Sequence, residues 1–225
     1  MNSLLDSLCG QNNWVAYCIN LKRAVERKNS FNKFCEYIDL SCNFFDATDK
    51  LDMKNTYNVM IGGKYSSGAT ACKLSHERLL KHYIKEHPNQ QFLFIFEDDC
   101  GFSPSDKIGF GKNSSYQTKE NLFQFLTDVS NSKIDWDCIH FGYYYEKLIP
   151  ITTNICQVLS TDLTHAMLFN RKTCHNLLKI YSNPNSSPMA ADHITQYLRR
   201  IGFMKTIGPP QTLIDQVDGI SFIWS

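Results

Sequence analysis

The sequence predicts an α/β chain with a mostly parallel central sheet flanked by helices, and three observations lead there. The run Gln91-Phe92-Leu93-Phe94-Ile95-Phe96 is apolar after its first residue and ends in three carboxylates, as expected of a strand buried on both faces. Trp14-Val15-Ala16-Tyr17-Cys18-Ile19 is a second such run, with Asn20-Leu21-Lys22-Arg23 after it and then a helical pattern. That succession opens an α/β unit. Strand-like and helix-like stretches go on alternating as far as residue 207, which is the pattern of α/β architecture.

Each element rests on its own spacing. Residues 24–37 carry Phe31 and Phe34 among charges, which gives a helix. Asn43 to Asp49 reads as a short strand and turn, whereas Gly62-Gly63 breaks any regular pattern between Lys50 and Ser67. Gly68 to His87 is the strongest helix, with Cys72, His76, Leu79, Leu80, Tyr83 and Ile84 on one stripe. Cys100 to Tyr116, rich in Gly, Ser, Pro and Lys, reads as a surface loop, and Thr118 to Val129 as an amphipathic helix. Trp136 to Phe141 is a buried strand closed by Gly142, where a backbone or a ligand can approach closely. Thr164 to Phe169 is a strand running into a helix at 171–181. Ser182 to Pro188 is loop, Ala191 to Ile201 a helix entered through Asp192, and Phe203 to Ile207 a last strand.

Bulk composition narrows the function classes. A chain of 225 residues suits one substantial domain, and 43% hydrophobic residues supply its core. A formal charge of +1 argues against bulk capture of nucleic acid or of an anionic membrane. The nine cysteines are scattered, with no C-x-x-C or Cys/His pair at zinc-ligand spacing, so reduced thiols and a cytoplasmic location are expected. No stretch has the ~20 apolar residues of a transmembrane helix, and the N-terminus lacks the pattern of a signal peptide.

The chemistry concentrates at Glu97-Asp98-Asp99. Side chains alternate along a strand, so Glu97 and Asp99 are expected on one face and Asp98 on the other. Three adjacent carboxylates repel one another unless a cation or a basic group compensates. Ligands of open α/β sheets bind beyond the carboxyl ends of the strands, where a hard dication bridges carboxylates to phosphates. The alternative is a solvated acidic turn. Arg23 and Arg27, at a helix start, suit bidentate phosphate binding or else belong to a solvated basic helix start. His76 reads as a ligand-facing residue or as a hydrogen-bonded core histidine. Ser75 beside it cannot form a dyad with it, because neighbouring helical residues do not face each other.

Three segments in this order resemble glycosyltransferase family 25, the lipopolysaccharide β-galactosyltransferases and procollagen galactosyltransferases. They are Tyr17-Cys18-Ile19-Asn20-Leu21-Lys22-Arg23 with Glu26-Arg27, Gly68-Ala69-Thr70-Ala71-Cys72-Lys73-Leu74-Ser75-His76, and Phe94-Ile95-Phe96-Glu97-Asp98-Asp99. Weaker matches cover Trp136–Gly142, Thr164–Leu178 and the closing Gln216-Val217-Asp218-Gly219-Ile220-Ser221. The resemblance implies a GT-A-type, Rossmann-like fold in one domain over 1–225. Within it, 14–142 would bind the nucleotide-sugar and 143–225 would serve acceptor and catalysis.

It also implies a UDP-type sugar donor, inversion at the anomeric carbon, and Mn2+ (or Mg2+) on a DxD-like motif, here Glu97-Asp98-Asp99. Asp99 assisted by Glu97 is the expected metal pair, and Asp98 a ribose or nucleotide contact. Asn20, Arg23, Arg27, Ser75, His76 and Gly142 are the other expected donor-binding residues. Asp192 is the candidate base, or else a plain helix-start acid, with Glu97 next in line. The acceptor is expected to be a glycan, a lipid-linked sugar or a protein hydroxyl. A metal-dependent phosphoesterase and a non-catalytic nucleotide-sugar-binding or scaffold module are the rival readings.

Overall fold

The computed structural model describes residues 1–54, 59–102, 116–142, 144–186 and 188–217, with the backbone alone for 144–146. Eight strands make one sheet: β1 (Trp14–Asn20), β2 (Asn43–Asp46), β5 (Phe92–Glu97), β7 (Cys138–His140), β8 (Tyr144–Pro150), β9 (Cys156–Asp162), β10 (Ala166–Asn170) and β11 (Thr206–Gly208). Their order is β2-β1-β5-β10-β7-β11-β9-β8. Six of the eight point one way; β10 and β9 are the two that run against them. Strands from both halves of the chain interleave, since β10 lies between β5 and β7. Two ribbons complete the strands, β3 (Met60–Ile61) with β4 (Lys64–Tyr65) and β6 (Cys100–Gly101) with β12 (Asp215–Gln216).

Strand alternation divides the core into two layers. Phe94 and Phe96 of β5 turn to one face, where they pack with α1 (Asn2–Cys9), α2 (Val25–Ile38) and α4 (Lys119–Ser132) through Leu5, Phe31 and Phe125. Leu93 and Ile95 turn to the other face. There they meet α3 (Ser67–Glu86), α5 (Arg171–Tyr181) and α6 (Ala191–Arg200) through Leu79, Tyr83, Leu177 and Ile194. Each apolar side chain so enclosed contributes ~1.5–3 kcal/mol. The outcome is a sheet between two helical layers, as the apolar runs foretold.

The elements that escaped sequence reading are short or peripheral. They are α1, the two-residue strands β3 and β4 around Gly62-Gly63, the β6–β12 ribbon, whose buried Cys100–Gly101 corrects the expected start of the surface loop, and the β8–β9 hairpin at the sheet edge. All nine cysteines are free thiols. No helix among the described residues is long and apolar enough to cross a membrane. Most of the expected loop at 100–116 and the end of the closing motif, 218–221, lie outside the described residues.

Candidate active site at the acidic end of the sheet

The parallel pairing of β1 and β5 aligns Ile19 with Glu97, so the end of β1 and the acidic end of β5 share one edge of the sheet. Antiparallel β10 starts at that edge, Ala166 opposite Phe96, which brings Thr164 and His165 there as well. From the helical layer, α3 presents Cys72 and His76.

Glu97 continues the Leu93–Ile95 face and meets α3. Its Oε1 accepts from Thr164 Oγ1 at 2.6 Å and pairs with His76 Nε2 at 3.1 Å. Burial alone would lift its carboxyl, but the His76 and Thr164 contacts outweigh that and hold it at about 2. The strand ends at Glu97, and a turn takes Asp98 and Asp99 elsewhere. Strand alternation therefore stops one residue before it could put Asp99 beside Glu97, a correction to the expected shared face. Instead Arg27 bridges Asp98 and Asp99, its Nη1 at 2.8 Å from Asp98 Oδ1 and its Nη2 at 2.6 Å from Asp99 Oδ2.

The three carboxylates are thus not unpaired, but one guanidinium against three acids leaves negative charge in excess. Asp99 carries the strain. Burial and then the neighbouring Glu97 charge push its carboxyl up to about 7, with Arg27 opposing. Its Oδ1 is buried and has no hydrogen-bond partner among the described residues. Asp98 is raised too, by burial, although Arg27 and Asn20 pull it down.

The other expected site residues fall into two groups. Asn20 sits in the site, its Nδ2 donating to Asp98 Oδ2 at 2.7 Å. Asp192 lies in the first turn of α6 behind the cap residue Ala190, so it is not itself the cap. Burial pushes the Cys72 thiol up, and the charges of Glu97, Asp192 and Asp99 add to that. His76 is both core-buried, 2% exposed, and a partner of Glu97.

Ser75 serves the fold instead: its Oγ donates to Ala71 O at 2.7 Å and accepts from Thr48 N at 2.8 Å. Arg23 reaches Asp49 at 2.6 Å. Gly142 does allow a close approach, but by the chain's own backbone. A Cβ there would lie 1.9 Å from Ile214 O and 2.3 Å from His165 Nε2, which corrects the expectation of a ligand at that point.

Gly142→Ala is accordingly expected to force residues 213–214 off the end of β7, where Leu213 N and Ile214 N now bond Phe141 O. Overpacking of this kind costs ~1–3 kcal/mol, and a chain of this size loses ~2–4 °C of melting temperature per kcal/mol. An unchanged melting curve would show that the segment is not docked as described.

Sequence reasoning missed Thr164 and gave Gln216 no role. Gln216 Nε2 lies 3.4 Å from Asp99 Oδ2, and Val217 N donates to Asp99 O at 2.7 Å. The closing motif therefore packs against the acidic turn. Cys72 had one usable signal: it stands four residues before His76, hence on the same helical face, which corrects the reading that no Cys/His pair stands at ligand spacing.

Comparisons with known proteins bear on the same segments. The family model described as "Glycosyltransferase family 25 (LPS biosynthesis protein)" matches residues 14–195. A mosquito protein (Aedes aegypti), "Glycosyltransferase 25 family member", is 29% identical over 140 residues, 56% of this chain. The chain spans only 20% of the length of that relative. Among solved structures, a glycosyltransferase involved in glycosylation of the major capsid of PBCV-1 is similar with a TM-score of 0.39 and 9% identity, over 82% of this chain and 75% of that one. A197 from STIV is similar with a TM-score of 0.44 and 12% identity, over 90% of this chain and 83% of that one.

Proposed function

The chain belongs to glycosyltransferase family 25, and from that premise we propose that it moves a hexose, galactose or glucose, from a UDP-type donor to an acceptor hydroxyl with inversion. The observation that carries the reading is Asp99, a crowded carboxylate with a buried, unpartnered Oδ1 at the carboxyl edge of the sheet. Such an oxygen suits a hard dication, which takes one or two carboxylates together with donor phosphates. Asp99 is the residue that would hold Mn2+ or Mg2+. Glu97, whose Oε1 already takes two hydrogen bonds, would add at most its other oxygen. The bound ion would offset negative charge on the departing diphosphate.

The chain's own residues supply the rest. Asp192 takes the proton of the acceptor hydroxyl as that oxygen bonds to the anomeric carbon, while the bond to the diphosphate breaks and its electron pair leaves with the nucleotide. Asn20 and Asp98 present polar atoms for the ribose, and Arg27 stands where a phosphate would compete with Asp98 and Asp99 for its guanidinium. Arg accepts either partner with the same fork. The acceptor is a glycan, a lipid-linked sugar or a protein hydroxyl.

One observation favours a second reading. Arg27 clamps two of the three carboxylates, as would suit a non-catalytic nucleotide-sugar-binding module. Nucleotide-sugars screened with and without Mn2+ by thermal stabilisation, followed by sugar release from the best binder, separate the two. Stabilisation of several degrees that needs Mn2+, with release of sugar, is the expected result. Binding without release supports the module, and no stabilisation by any UDP-sugar overturns the proposal.

A further inference from the structure

Next to the acidic turn lies a second set of donors, of which the glycosyl-transfer reading uses at most the second oxygen of Glu97. Cys72 Sγ, a ring nitrogen of His76 and a Glu97 carboxylate oxygen all lie within 4.8 Å of one another. We propose that Cys72, His76 and Glu97 form a three-ligand site for a thiophilic dication of the zinc class, separate from the hard-cation role of Asp99.

The arrangement is built for this by the fold. Cys72 and His76 are four apart on α3 and so project from one helical face. Glu97 comes from the end of β5, whose odd-numbered side chains face that helix. Donors around a tetrahedral zinc lie roughly 3–4 Å apart, and His76 Nε2 already stands 3.1 Å from Glu97 Oε1. The Thr164 hydroxyl, 2.6 Å from the same oxygen, is the kind of outer partner that orients a ligating carboxylate. Three protein ligands also leave a fourth position open, as at zinc sites that bind water or substrate.

Donor chemistry decides the metal class. A thiolate and an imidazole select zinc-like ions, whereas carboxylates and phosphates suit magnesium and manganese. Charge agrees: a Cys72 thiolate and the Glu97 carboxylate together balance one dication around a neutral ring. Binding sends the Cys72 thiol proton to solvent and displaces the proton that now lies between His76 Nε2 and Glu97 Oε1. Glu97 thereby belongs with α3, and the hard cation is left to Asp99 and the donor.

Titration of the full chain with Co2+, with no nucleotide present, tests the site without reference to transfer. One equivalent is expected to produce a thiolate-to-cobalt charge-transfer absorption, removed by added Zn2+. Cys72→Ser should abolish that absorption, and His76→Ala should weaken binding by about tenfold or more. Cys42→Ser and Asp99→Asn should leave it unchanged. Each variant's melting curve establishes that it is folded. Absence of the absorption in folded wild-type chain, or its survival in folded Cys72→Ser, would overturn the site. Loss in Asp99→Asn would merge it with the hard-cation site and overturn their separation.

Discussion

Asparagine in place of Asp99 is expected to lower glycosyl transfer by about 10²–10³-fold, the scale on which one preorganised group acting on developing charge contributes, and at the same time to make the chain more stable. Both effects come from one cause. Burial and the Glu97 charge raise this carboxyl from its ordinary 3.8 to about 7, so the folded state resists its ionisation. The unfolded chain ionises Asp99 near pH 4, while the folded chain keeps the proton until about pH 7. Between those values the folded state binds more protons, and stability due to this group falls as pH rises. Removing the charge should therefore give no gain below pH 4, a growing gain up to about pH 7, and a constant one above.

Glu97 runs the opposite way. Its folded value of about 2 lies below the ordinary 4.5, so its contribution is present above pH 4.5 and is lost as pH falls toward 2. Melting curves of wild type and Asp99→Asn at pH 4, 6 and 8, beside turnover with Mn2+, read both expectations. A variant less stable at pH 8 would mean that the Arg27 pair outweighs the crowding. Near-normal turnover would remove Asp99 from the chemistry. A carboxylate retained at a cost to stability is what a site kept for function looks like.

How much of this was open to reading depends on how far apart the cooperating residues lie. β1, β5 and α3 announce themselves because apolar periodicity is local, and the two-face burial of β5 follows from its composition alone. The β8–β9 hairpin does not: β8 is an edge strand that ends in Pro150, where neither a continuous apolar run nor full pairing is needed.

The same limit governs the site. Glu97-Asp98-Asp99 is contiguous and visible, but the hydroxyl of Thr164 is 67 residues from Glu97, and Gln216 is 117 from Asp99. Arg27 was legible as an anion-binding group and not as the partner of Asp98 and Asp99, since a guanidinium fork matches carboxylate and phosphate alike. What the strand rule could not anticipate was where the strand stops. The turn after Glu97 leaves that acid with His76 and Thr164 and takes Asp98 and Asp99 to Arg27.

That separation bears on the base. Asp192→Asn is expected to reduce turnover by ~10²–10⁴-fold, the usual contribution of a positioned proton acceptor, while leaving donor binding as it was. Glu97 is a poor substitute, since His76 and Thr164 hold its carboxyl near 2 against the effect of burial, far from the neutral range where a base is most effective. Asp192 has few structural duties to confound the result. Ala190 occupies the cap position, and the Asp192 side chain bonds only the adjacent His193 N, at 2.8 Å, among the described residues. Its loss should cost the fold little more than a first-turn charge, ~0.3–1 kcal/mol. The comparison to make is kcat, donor KM and melting temperature for Asp192→Asn and Asp192→Glu. A large fall in kcat at constant donor KM, partly restored by glutamate, fits the proton acceptor. A fall of only a few-fold in both variants would return Asp192 to the role of a helix-start acid and leave the base to be sought elsewhere.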